Sequence, residues 1–209
     1  METEKRNVLN DAVSTMKQVD GNLILKLLKN PLESLQLTEK HLVYGILGLA
    51  SSLVGFLIWG LLMGKKIASL LFGWVSILGG PGRIPASVTF ELFGKLLLLG
   101  LLSTAALVAS VWLIGWWKSG AMPSLKLFVT RVGSAHYIGA AGFLLAGILS
   151  FSMNLSFLLL LITLLSLLAL TLFAGQEASG TTKEKSASFL ILSVSAYVAL
   201  MGILSPLIM

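Results

Sequence analysis

Long uninterrupted apolar runs, not alternating patterns, organise this chain. A hydrocarbon layer about 30 Å thick needs roughly 20 apolar residues of helix to cross it. Five stretches reach that length, at 42–63, 92–117, 135–153, 155–174 and 188–208. Thr38 is placed to cap the first, with Glu39 in its opening turn, and Lys65 and Lys66 close it. Lys118 closes the second. Only Asn154 separates the third run from the fourth, and the two together cover 40 residues, too many for one straight crossing. The pattern therefore predicts a tight helical hairpin around Ser152, Met153 and Asn154. The polar stretch QEASGTTKEKS at 176–186 joins the fourth run to the fifth, and Pro206 kinks or ends the last helix.

The remaining segments do not fit a crossing. Residues 1–40 form a polar N-terminal region ahead of a bundle at 41–209. In it Val8, Leu9, Ala12, Val13 and Met16 recur at helical spacing until Asp20-Gly21 interrupts them. Next comes an amphipathic stretch in which Ile24, Leu27, Leu28, Leu32 and Leu35 oppose Lys26, Lys29 and Glu33. Asn30-Pro31 with Glu33 reads as the start of a new short helix. This region either lies on the membrane surface or packs beneath the bundle. IASLLFGWVSIL, at 67–78, is too short to span and is expected to be interfacial or re-entrant; GGPGRIP after it reads as a turn. The N-terminus lacks an early apolar core, so no cleavable signal peptide is expected.

Composition strengthens this picture. Hydrophobic residues make up 56% of the 209 and charged residues 11%, against about 25% charged in soluble domains; the mean hydropathy is +0.93. The expected fold is an all-α polytopic membrane bundle of five transmembrane helices with an N-terminal amphipathic surface helix. The absence of cysteine excludes disulfides, thiolate metal sites and a cysteine nucleophile. The net charge of +6 resides mainly between apolar runs, which points to topology signals and lipid headgroups, not nucleic acid.

With the N-terminus inside, eleven Lys and Arg fall in inner segments and three (Lys65, Lys66 and Arg83) in outer ones. The positive-inside rule then gives a cytoplasmic N-terminus and an outer C-terminus in the cell membrane. Lys126 and Arg131 lie in an inner loop on this scheme. Tyr44, Trp116, Trp117 and Tyr137 would anchor the inner interface, Trp59 and Trp74 the outer one.

Helices in lipid associate through close backbone approach, so small residues mark packing faces. Ala135, Gly139, Gly142, Ala146 and Ser150 form such a stripe on the third run, Gly48, Ser52 and Gly55 on the first, and Ser195, Ala199 and Gly202 on the fifth. Either internal packing or a partner protein would use these faces. The third run is expected at the centre, and the bulkier fourth at the periphery.

Candidate chemistry is sparse. Glu91 and Lys95 stand four apart in the order that favours an intrahelical ion pair. His41 and His136 are lone histidines placed at helix mouths, with neither the companions nor the spacing of a metal site. GGPGRIP lacks the Gly-Lys-Ser/Thr ending of a phosphate loop, and neither HExxH nor GxSxG occurs. No catalytic residue, cofactor or metal is expected.

Two stretches carry a family resemblance. LNDAVSTMKQVDGNLILKLLKNPLESLQLTEKHLVYGILGL, with Lys29-Asn30-Pro31 before the first run, resembles the start of a family of bacterial five-span membrane proteins of unassigned function. PSLKLFVTRVGSA, ending in Arg131-x-Gly133, resembles that family's cytoplasmic loop. These proteins often carry an N-terminal zinc ribbon and are similar to the Yip (Ypt-interacting protein) membrane family. This chain departs from them in having no cysteine for a ribbon. The resemblance implies a non-catalytic scaffold or accessory subunit in contact with lipid and with other membrane proteins, such as an ABC-type exporter, or with itself. A transporter or permease component for an apolar or peptide-like cargo is the alternative.

Overall fold

The computed structural model describes the backbone of residues 19–77 and 86–207. The helical spacing read at Val8 to Met16 and the GGPGRIP turn lie outside the described residues, as does the side chain of Trp74. Among the described residues the fold is all-α: α1 (Gly21–Lys29), α2 (Leu42–Ile77), α3 (Ala86–Ser119), α4 (Leu125–Ala135), α5 (Tyr137–Ile148), α6 (Met153–Ser179) and α7 (Ser186–Leu204).

Five segments are long and apolar enough to cross a bilayer: Glu39–Gly64, Phe93–Ser119, Leu125–Phe151, Met153–Ser179 and Lys183–Leu204. The chain is a multi-pass membrane protein. In chain order the crossings are α2, α3, α4 with α5, α6, and α7.

Local chemistry sets the boundaries. The Asp20 side chain accepts from the Asn22 amide at 2.8 Å and caps α1, whose last turn carries Lys26 and Lys29 where the helix dipole favours cations. Pro31 opens a short 3-10 turn to Gln36. Thr38 and His41 then form a reciprocal cap ahead of α2. Gly180, at φ +66°, takes the left-handed conformation that ends α6. Ser152, in extended backbone, makes the break between the third and fourth crossings.

Three boundaries differ from the sequence expectation. α2 runs unbroken to Ile77, so residues 67–77 extend the first crossing's helix beyond Gly64 and do not start a new element. Lys65 and Lys66 do not end the helix, although the crossing itself closes at Gly64 just before them; Lys66 reaches the Ser150 carbonyl at the end of the third crossing. The third crossing begins at Leu125, not at 135. Lys126 and Arg131 therefore stand on a helix and not in a loop. Ser124 caps that helix through the Leu127 amide, and its buried face carries Phe128, Thr130, Val132 and Gly133.

The N-terminal segment packs under the bundle. Leu27 is buried with Leu37 and Tyr137. Lys26 pairs with Glu33 at 2.8 Å, and the Tyr44 hydroxyl accepts from the Asp20 amide at 2.7 Å. Leu25 and Leu32 turn outward, so Leu32 does not share the face of Leu27. Arg131 fastens the arrangement: Nε donates to the Leu37 carbonyl at 3.2 Å and Nη1 to the Glu177 carbonyl at 3.4 Å, in the last turn of α6.

The third crossing is the hub, 56% buried within the bundle; the fourth, expected at the periphery, is 28% buried, more than the second at 17% and the fifth at 11%, because Thr163, Leu167 and Thr171 turn inward. The fifth packs chiefly on α3 and touches α6 sparsely.

Candidate functional site: a cavity at mid-membrane

The glycine stripes bring the first and third crossings to backbone contact. Gly45 and Gly133 face one another, and Gly48 faces the Gly133 carbonyl. A Cβ at Gly55 would lie 2.9 Å from the Ala140 carbonyl oxygen. Gly142 makes room for the Thr163 side chain, and Gly139 for Leu167 and for Ser52. Ala146 is fully buried and its carbonyl accepts from Ser156 Oγ at 2.7 Å. Ser156 Oγ in turn accepts from Trp59 Nε1 at 3.0 Å, so one hydroxyl ties three crossings together. Trp59 is thus a core residue and no interface anchor, as are Tyr44 and Tyr137; Trp116 and Trp117 are exposed. The Trp59 indole NH and the Tyr44 hydroxyl find partners within the fold, which hydropathy does not reveal, whereas the buried Tyr137 hydroxyl has none among the described residues.

The fifth crossing behaves differently. Ser195, Ala199 and Gly202 are exposed, and nothing lies within 4 Å of a Cβ built at Gly202. This small-residue stripe faces away from the bundle, because α7 turns Phe189 and Ser193 inward instead. Glu91 and Lys95 do pair, at 3.0 Å, with both side chains largely exposed. Such a pair contributes little to stability.

Where the crossings meet, the packing leaves a cavity of about 310 Å³ lined by all five. Its walls are leucine and phenylalanine, among them Phe56, Leu107, Phe143 and Leu168. Five polar side chains also line it: Ser52, Ser103, Thr104, His136 and Tyr197. Each lies within four residues of the centre of its own crossing. At a rise of about 1.5 Å per residue, all five sit within about 6 Å of the middle of their own crossings.

His136 is therefore not at a helix mouth. It occupies the joint between α4 and α5, where its amide donates to the Gly133 carbonyl three residues back and the helix tightens for one turn. It is 3% exposed. Its Nδ1 lies 2.9 Å from the Val132 carbonyl oxygen; a carbonyl only accepts, so Nδ1 carries a proton. Nε2 has no hydrogen-bond partner among the described residues, and neither does Ser52 Oγ. Thr104 Oγ1 donates to the Gly100 carbonyl at 2.9 Å, and Ser103 and Tyr197 share a hydrogen bond of 2.7 Å that joins the second crossing to the fifth.

The cavity opens sideways. Leu99, Leu164 and Leu165 line it and are also 40%, 45% and 57% exposed on the bundle's flank. No charged side chain lines it, and among the described residues no group of three His, Cys, Asp or Glu comes together. The arrangement can hold an apolar molecule and hydrogen-bond one polar group.

Comparison with protein-family models, with curated proteins and with solved structures finds no match to this chain.

Proposed function

We propose that this multi-pass protein is a non-catalytic component of membrane transport that takes an apolar cargo into its bundle from the bilayer. One observation carries the reading: a largely apolar cavity at the meeting point of all five crossings, with a buried histidine where the third crossing tightens for one turn. Intramembrane ionisable groups that face a cavity mark function by default. A volume of about 310 Å³ falls at the lower end of ligand pockets. That size suits a single apolar chain or ring system better than a peptide. The absence of lining charges argues against ion coupling.

The test is recovery of a co-purifying molecule. The protein is extracted in lipid nanodiscs, and its small molecules are identified by mass spectrometry beside those of Leu165→Trp, which fills the mouth from an exposed position. A lipophile enriched with the wild type and depleted at least fivefold in the variant supports the reading. Equal content in both refutes it.

An accessory or scaffold role, which the Yip-like resemblance implies, is a second reading. The outward small-residue face of α7 supports it, since such faces bind helices in lipid. The bias of Lys and Arg supports a cytoplasmic N-terminus. The chain has no native cysteine, so single-cysteine variants at Ser119 and Ser152 test this directly. Impermeant maleimide on intact cells should label Ser152→Cys alone.

A further inference from the structure

We infer that the cavity selects an uncharged, bilayer-soluble alcohol and binds its hydroxyl on His136. This rests on the cargo-binding reading above and goes further, to the chemical class of the ligand.

The hydrogen-bond inventory of the cavity leads there. Thr104 spends its proton on the Gly100 carbonyl. Ser103 and Tyr197 use one of their two protons on each other. Nδ1 of His136 is occupied by Val132. What is left for a ligand is the Nε2 edge of His136, the Ser52 hydroxyl, and one O–H of the Ser103–Tyr197 pair. No carboxylate lines the cavity to balance an imidazolium, and the neutral ring with its proton on Nδ1 presents a lone pair at Nε2. The ligand group must therefore donate to Nε2, and it gains further if it accepts from a hydroxyl nearby. A hydroxyl does both. A carboxylate would set its lone pairs against that of Nε2 with no cation to neutralise it. An ammonium would find no anion. An alkane would leave Nε2 and Ser52 buried without partners, at a cost.

The walls define the rest of the molecule. They are hydrocarbon, and the opening lies on the flank beside Leu99 of α3 and Leu164 and Leu165 of α6. A ligand reaching this site partitions from the acyl chains, so its body is apolar and its net charge zero.

The experiment uses the full chain in nanodiscs and three photoreactive probes of equal length, each with a diazirine near the polar end: hexadecanol, hexadecane and palmitic acid. Labelled peptides are mapped by mass spectrometry, with unlabelled hexadecanol and diacylglycerol as competitors to separate simple long-chain alcohols from glycerolipids. The alcohol should label residues of the cavity wall roughly tenfold more than the alkane or the acid, the size of one buried hydrogen bond gained and one orphaned acceptor avoided. Leu165→Trp should suppress labelling at the cavity by every probe. His136→Phe should reduce the alcohol to the level of the alkane, and His136→Gln, which restores an acceptor, should recover part of the preference. Ser52→Ala, a smaller change, should lower it several-fold in a chain that folds as the wild type does. Alkane and alcohol labelling the wall equally in the wild type overturns the alcohol assignment while leaving cargo binding intact. So does a preference unchanged in both His136→Phe and Ser52→Ala. No cavity labelling by any probe overturns both readings.

Discussion

Replacing Gly48 by alanine adds one methyl group where no space exists. The new Cβ would collide with the Gly133 carbonyl oxygen, and it would lie 3.0 Å from the Gly133 carbonyl carbon and 3.3 Å from Ser134 Cα. All three obstacles are backbone, so no rotamer change relieves them and the first and third crossings must move apart. Overpacking a close contact costs about 1–3 kcal/mol, and obstacles that cannot rotate away place this case at the upper end. Alanine's better helix propensity returns about 1 kcal/mol. The net expectation is a loss of about 2 kcal/mol, roughly thirtyfold in the folding equilibrium. Gly202→Ala is the internal control. Nothing lies within 4 Å of its Cβ, so only the propensity gain applies and stability should hold or rise slightly. Both variants can be unfolded in mixed micelles by titrating dodecyl sulfate, followed by far-UV circular dichroism. Gly48→Ala matching the wild type to within about 0.5 kcal/mol would falsify the claim that these crossings touch backbone to backbone.

Three further outcomes follow from contacts elsewhere in the bundle. Trp59→Phe removes the indole donor to Ser156 while Ser156 keeps its bond to Ala146; a loss of about 1 kcal/mol is expected in the same titration, and an unchanged midpoint would contradict the bond. Thr171 is fully buried and its hydroxyl has no partner among the described residues; Thr171→Val should therefore stabilise by about 1 kcal/mol, and destabilisation would show that the hydroxyl is satisfied. Arg131→Met cuts both clamps, to Leu37 and to Glu177; amide exchange across residues 21–37 should speed up at least tenfold, with exchange in α5 unchanged, and equal protection in the variant would mean that Leu27 alone holds the segment.

The membrane class and the number of crossings were legible because run length against bilayer thickness is a strong one-dimensional signal. Ser152 was legible as a break for the same reason, since 135–174 overran a single span. The start of the third crossing was not. Lys126, Thr130, Arg131 and Ser134 dilute its first half, and its mean hydropathy of 1.5 is the lowest of the five crossings; the burial of Thr130 and Ser134 and the clamping of Arg131 are tertiary facts. Gly48, Gly55, Gly139 and Gly142 were found by spacing and do pack, whereas the same spacing at Ser195, Ala199 and Gly202 faces outward. Spacing reveals that a face is smooth, not what lies against it. The cavity was invisible because its polar groups come from four crossings with no common interval. The faint signal is position: Ser103-Thr104 at the centre of a leucine-rich run, and His136 near the centre of a crossing whose first half reads as a loop.

The bundle's contacts are unevenly distributed, and this decides how it yields. Crossings one and three interlock through glycine and cannot separate without breaking the fold, while the seam between α6 and α7 has few contacts to lose. Disruption of the bundle is therefore expected to begin along that seam, with α3 and α7 staying joined through their own packing and the Ser103–Tyr197 bond.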